Sequence, residues 1–88
     1  MTTTQGRRVP DSSDGAGVVY ARGDYGRIGG AWHACTPAGM LGNLSEHDIV
    51  EHEDGTITVS PSILVTRHRS DGDRTWHGYL ERGIWREV

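Results

Sequence analysis

His33 and Cys35 are the first residues whose types and spacing could support chemistry. They stand two apart in a segment typical of a β-strand, so their side chains share one face. His77, from a second predicted strand, is the third candidate. Imidazole nitrogen and thiolate sulfur are zinc ligands, and three protein ligands plus water form the open catalytic arrangement. These residues favour a small zinc-binding protein or zinc hydrolase as one hypothesis. A lone cysteine is more often a small buried residue, so the alternative is a chain without a cofactor.

Residue types for nucleophilic catalysis are also present in the sequence. Ser60 and Ser62 offer hydroxyl groups, His77 a base and Asp48 a carboxylate. Such a mechanism needs the nucleophile, the base and an orienting carboxylate in one arrangement, and no nucleophile-elbow motif surrounds either serine. We therefore expect a chain that is not an enzyme.

Composition narrows the partners and the compartment. The chain has 88 residues, a net charge of −3 and one cysteine, which allows no intrachain disulfide. Acidic side chains concentrate in the second half, which argues against nucleic acid as a partner, because phosphate attraction supplies most non-specific affinity. No apolar run is long enough for a membrane span. The composition therefore predicts a protein of the cytoplasm or of a larger assembly.

Two regions differ in character. Residues 1–17 lack hydrophobic periodicity and are rich in Thr, Ser, Gly and Asp, which predicts a flexible N-terminal tail. Residues 18–88 are predicted to form a single all-β domain. Within it, residues 18–21 and 31–36 are expected to be strands, with Trp32 and Ala34 on one side and His33 and Cys35 on the other.

Turn signals organise the C-terminal half into hairpins. Asp54-Gly55 and Asp71-Gly72 are each expected to form a two-residue type I′ turn, and Glu81–Gly83 a three-residue turn. The resulting pairing predicts a four-stranded antiparallel meander that N-terminal strands close into a sandwich or half-open barrel. Pro61 predicts a bend or bulge, because it has no N–H for the ladder. The predicted buried face comprises Val50, Ile57, Val59, Ile63, Val65, Trp76, Leu80, Ile84 and Val88.

The same pairing places a second set of side chains on the opposite face. Tyr and Trp are enriched at binding surfaces, so an aromatic cluster there suggests a recognition surface, the alternative being a patch covered by residues 18–36. The predicted surface comprises Leu64, Thr66, His77, Tyr79 and Trp85. Arg67 is expected on the core face next to Trp76, where its stem packs. If that end of the sheet is open, Arg67 and Arg69 become an anion site instead.

A series of short motifs over residues 30–88 carries a family resemblance. The motifs are Trp32-His33, Thr36-Pro37-x-Gly39, the run from Glu51 to Ile63, and Trp76-His77-Gly78-Tyr79-Leu80-x-x-Gly83-x-Trp85. On these motifs the chain resembles a family of small uncharacterised proteins of actinobacteria and their bacteriophages. The resemblance implies a phage or prophage setting, and with it the host cytoplasm or the virion, and it implies no particular activity.

Three hypotheses about function follow. The first is a non-enzymatic β-module that binds another protein or forms a homo-oligomer, as a phage or prophage accessory protein. The second is a structural component of a virion or similar assembly that uses residues 1–17 as an arm. The third is the small zinc-binding protein or hydrolase.

Overall fold

The structure is a computed structural model that describes residues 3–14 and 19–88. Within these ranges the chain forms strands, turns and loops without a helix, and hence without an apolar helix of membrane-spanning length. In chain order the strands are β1 (Thr3–Gln5), β2 (Arg7–Arg8), β3 (Asp24–Ile28), β4 (Ala31–Cys35), β5 (Leu41–Asn43), β6 (Asp48–Glu51), β7 (Ile57–Arg67), β8 (Arg74–Glu81) and β9 (Ile84–Glu87).

Two packed sheets make up the fold. The first has five strands in the order β1-β9-β8-β7-β6, and the second has four in the order β2-β3-β4-β5. All pairs are antiparallel except β2 with β3. The core lies between the sheets and comprises Tyr25, Ala34, Met40, Leu44, Ile57, Val59, Ile63, Trp76, Leu80 and Trp85. The predicted all-β class is confirmed, and the arrangement is a sandwich of two sheets, not a closed barrel.

The turn at Asp54-Gly55 differs from the predicted type. A type I′ turn needs positive φ at both central residues, and here only Gly55 has it, with φ +87°. The N–H of His52 donates to the carbonyl of Thr56, which closes a three-residue loop over Glu53–Gly55. One extra loop residue shifts the ladder by one position, so Ile49 now pairs with Val59. Val50, predicted in the core, is therefore 56% exposed, and Ile49 packs against the core instead.

The turn between β8 and β9 shows the converse difference. Arg82 and Gly83 both have positive φ, 48° and 76°, which is the requirement of a type I′ turn. The loop therefore has two residues, not the predicted three, and Glu81 pairs with Ile84. The one-residue shift turns Trp85 into the core, where it is 1% exposed, while Val88 is exposed. The prediction that Ile84 and Val88 lie in the core was wrong for this reason.

The hairpin of β7 and β8 keeps its predicted faces although its loop is longer. The ladder ends at Arg67 and Arg74, two residues from the predicted register, and an even shift leaves every side chain on its face. The register also shifts between Val59 and Ile63, which confirms the bulge expected near Pro61.

The N-terminal segment lies within the fold where the sequence predicted a tail. β1 pairs with β9 and β2 pairs with β3, so these few residues add an edge strand to each sheet. Gly6 lies at the crossing, where its N–H donates to the carbonyl of Gly83 over 2.7 Å. A Cβ on Gly6 would stand 2.6 Å from that carbonyl oxygen, which requires a residue without a side chain. Residues 1–2 and 15–18 fall outside the described part of the chain.

Ion pairs help to hold this segment, beside the buried side chain of Val9. Arg7 pairs with the buried Asp24 at 2.9 Å, and Arg8 pairs with Glu51 at 3.0 Å. Asp11 joins Arg8 at 3.3 Å and Arg27 at 2.8 Å. The guanidinium groups of Arg8 and Arg27 also stack over the indole of Trp32, with their carbons 4.7 and 5.2 Å from the ring centroid. Hydrophobic periodicity is absent because charge pairing and ladder hydrogen bonds hold these strands.

Candidate functional site

The outer face of the five-stranded sheet carries most of the predicted recognition surface. Leu64 lies opposite His77 on the neighbouring strand and is 62% exposed. Thr66 lies opposite Thr75, with their hydroxyl oxygens 3.3 Å apart. Tyr79 lies opposite Arg86 on the same face. We call this surface the exposed patch and define it as Leu64, Thr66, Thr75, His77, Tyr79 and Arg86.

Trp85 does not belong to this surface. Its ring packs edge to face against Trp76 with centroids 5.3 Å apart, and its indole N–H donates to the carbonyl of Gly23 over 3.0 Å. The one-residue change at the preceding turn moves the side chain to the other face of its strand. Arg86 takes the outward position instead, and its guanidinium lies 4.5 Å from the ring of Tyr79.

Polar contacts hold the side chains of the exposed patch. Arg86 pairs with Glu81 at 2.8 Å, which fixes its guanidinium over the aromatic ring of Tyr79. A ring nitrogen of His77, Nε2, lies 2.9 Å from the hydroxyl of Ser62. Among the described residues no carboxylate contacts the other ring nitrogen of this histidine. The histidine and serine are therefore a hydrogen-bonded pair without the orienting group that nucleophilic catalysis uses.

The predicted zinc ligands lie apart. His33 and Cys35 share a face of β4, as predicted, but His77 lies on the outer face of the other sheet. Across residues 3–14 and 19–88 no group of three His, Cys, Asp or Glu side chains is placed to hold a metal ion. The Nδ1 atom of His33 lies 2.9 Å from the carbonyl of Ala31. The zinc set was wrong, because strand parity relates residues on one strand and carries no information on which sheet a second strand joins.

Cys35 is a buried thiol at the end of β4. It is 4% exposed, and burial raises the pKa of its thiol, with the nearby Asp24 carboxylate adding to the effect. A raised pKa keeps the thiol protonated near neutral pH, whereas nucleophiles and metal ligands are thiolates. Cys35 is therefore a small buried side chain, which is the alternative to a zinc ligand given by the sequence analysis.

The two outer faces of the sandwich differ in how the chain covers them. Over the four-stranded sheet, Tyr20 and Val9 lie against Gly26, where an added Cβ would meet each within 2.9 Å. Asp24 and Cys35, on the same side, are buried, whereas Leu41, opposite Cys35 on the edge strand β5, is 48% exposed. Over the exposed patch none of the described segments lies. Residues 19–22 therefore lie over part of the four-stranded sheet and leave the exposed patch uncovered.

Arg67 lies on the core face of β7, as predicted, at the open end of the sandwich. Its partner across the ladder is Arg74, while Trp76 pairs with Val65. Arg67, Arg69 and Arg74 line a cleft of about 390 Å³. Arg74 was missed at the sequence level, although it stands two residues before Trp76 and therefore shares its face.

Comparisons with known proteins give no further identification. No family model matches the chain, and neither a curated protein nor a solved structure matches it.

Proposed function

We propose that this chain is a non-enzymatic β-module that binds another protein through the exposed patch. One observation carries the proposal: the chain's own residues cover strand β3 on the outer face of the four-stranded sheet, while no described segment covers the outer face of the five-stranded sheet. The three interior strands β7, β8 and β9 present the patch, so it lies in the middle of the sheet.

The side chains of the exposed patch suit a partner that associates and dissociates. Tyr and Arg are enriched in protein interfaces, and non-obligate interfaces mix apolar with polar groups. Leu64 supplies an exposed apolar side chain, while Tyr79 beneath Arg86 supplies a flat ring whose position is already fixed. A fixed ring loses little side-chain entropy when a partner binds. We infer a protein partner because of this mixture, with a second copy of the chain as the alternative occupant.

The biological setting is part of the proposal. The resemblance described above supports a phage or prophage accessory protein that acts in the host cytoplasm. The alternative is an assembly component that uses the N-terminal segment as an arm on neighbouring subunits. The pairing of β1 and β2 within the chain itself argues against that use of the segment.

Site-specific photo-crosslinking tests the proposal. A photoreactive residue at position 64 should link the protein to one partner in host cells, and excess unlabelled protein should compete. The Leu64→Asp, Tyr79→Ser double variant should compete at least ten times less well, because both changes lie on the surface and leave the core unchanged. Position 50 provides the matched control, since Val50 is similarly exposed on an edge strand of the same sheet.

Three results would contradict the proposal. Equal crosslinking from position 50 would show non-specific contact, and equal competition by the double variant would remove the exposed patch from recognition. A crosslinked product with twice the mass of the chain would identify a second copy as the occupant in place of a different protein.

A further inference from the structure

We propose that the arginine-lined cleft at the open end of the sandwich binds a phosphate monoester. This inference is independent of the protein-binding role, because the cleft and the exposed patch are different surfaces. The cleft lies where the distal end of the β7–β8 hairpin meets residues 20–22 and the loop after β4. Its lining includes four arginines: Arg22, Arg67, Arg69 and Arg74.

Carboxylate partners are distributed unevenly among the nine arginines of the chain. Five have a carboxylate within 4.0 Å: Arg7, Arg8, Arg27, Arg69 and Arg86. Among the described residues the other four have none, and three of these four line the cleft: Arg22, Arg67 and Arg74. The remaining one, Arg82, lies at the opposite end of β8. The chain has more acidic than basic residues, so a shortage of carboxylates does not explain why these arginines lack partners. The unpaired positive charge is therefore a local feature of the cleft.

The pairing of β7 with β8 adds repulsion to this positive charge. Arg67 and Arg74 are directly opposite each other in the ladder, and like charges in that position destabilise a sheet. Arg69 has a carboxylate partner only at 3.6 Å, from Asp71 in its own loop. Among the described residues, no acidic side chain lines the cleft itself. A bound anion would remove the repulsion that the free protein carries.

Cleft chemistry selects the class of anion. Guanidinium groups form two parallel hydrogen bonds with phosphate or carboxylate oxygens, and three unpaired groups suit the dianionic phosphate better than a single negative charge. The cleft volume of about 390 Å³ exceeds that of a phosphate group alone. Ala21, Ala38 and Met40 also line the cleft, and we call these three apolar residues its apolar wall. The wall leaves room for a small organic group attached to the phosphate.

Nuclear magnetic resonance titration of the full chain tests this inference. At constant ionic strength, inorganic phosphate and phenyl phosphate should each shift the Nε–H resonances of Arg67 and Arg74 in a saturable way. Phenyl phosphate should bind more tightly, because only it reaches the apolar wall. Benzoate, with one negative charge on the same ring, should bind at least tenfold more weakly. Equal affinity for both phosphates would instead identify free phosphate as the ligand.

Two variants separate an anion site from a merely structural cluster. Arg74→Gln should weaken phenyl phosphate binding at least tenfold, while the matched control Arg82→Gln should change it less than twofold. Without ligand, Arg74→Gln should raise the thermal midpoint, because it removes a like-charged neighbour of Arg67. A lowered midpoint, unsaturable shifts or equal loss in the control would overturn the proposal.

Discussion

Trp85→Phe is the substitution that best tests the register on which the core and the exposed patch both depend. In the structure this indole is 1% exposed, packs edge to face on Trp76, and donates to the carbonyl of Gly23. Losing the donor removes a net contribution of about 1 kcal/mol, and Gly23 retains a second donor, the N–H of Arg7 at 3.2 Å. The smaller ring forgoes roughly 40 Å² of burial, worth about 1 kcal/mol at ~25 cal/mol/Å².

The expected sum is a loss of about 2 kcal/mol in the free energy of unfolding, a large share of the few kcal/mol typical of so small a domain. The midpoint of thermal unfolding should fall by roughly 8–16 °C, since each kcal/mol is worth about 4–8 °C in a domain of this size. Far-ultraviolet circular dichroism gives the measurement without relying on tryptophan emission. Tyr79→Phe is the matched control, because it removes a hydroxyl from a half-exposed ring and should change stability by less than ~0.5 kcal/mol.

The alternative register predicts a different stability cost for the changes at positions 85 and 79. A three-residue loop before β9 would place Trp85 on the outer face, so its replacement by Phe would cost no more than the change at Tyr79. Equal midpoints for the two variants would refute the two-residue turn at Arg82-Gly83 and with it the composition of the exposed patch.

Two further predictions concern a turn and an ion pair. Gly83→Ala should destabilise the fold by about 2 kcal/mol or more, because the new Cβ would lie 2.8 Å from a core tyrosine hydroxyl and the backbone has a strained φ of +76°. The control Gly55→Ala has φ +87° and open space around the new Cβ, so it should cost only about 1 kcal/mol. Equal urea midpoints for the two variants would contradict the close approach at Gly83. Hydrogen bonding to Arg27, then to Arg8, holds the pKa of Asp11 below its usual 3.8. Its stabilising effect should therefore be present above about pH 4 and lost as the pH falls through the lower folded pKa. The difference between the urea midpoints of the natural chain and Asp11→Asn should be largest at pH 6 and shrink as the pH falls below 3.8, and a constant difference would contradict the ion pair.

The faces of β7 and β8 were predictable because alternation fixes them locally. Apolar residues from Ile57 to Val65 recur at every second position outside the bulge, so an even change of register left their faces unchanged. The same alternation placed Arg67 on the core side and Leu64 on the outer side. Pro61 marked the bulge for a local reason as well, since a missing N–H interrupts any ladder.

The loop lengths of the other two hairpins could not be predicted from local sequence. Asp54-Gly55 and Arg82-Gly83 are each compatible with a two-residue or a three-residue loop, and the difference of one residue reverses which side chains are buried. Packing decides between them: Trp85 between the sheets buries far more apolar surface than Ile84 would. Residue types at the turn do not encode that comparison.

The sequence by itself determined that this chain is a β-protein with one bulged hairpin, a buried set on one side of it and Arg67 at its end. Only the tertiary structure decided that Thr3–Gln5 and Arg7–Arg8 complete the sheets, that His77 and Cys35 belong to different sheets, and that Arg22 and Arg74 join Arg67 around one cleft. The physical reason is that alternation along a strand is a property of neighbouring residues. Edge pairing, sheet membership and the convergence of charge depend on contacts between segments distant in the chain.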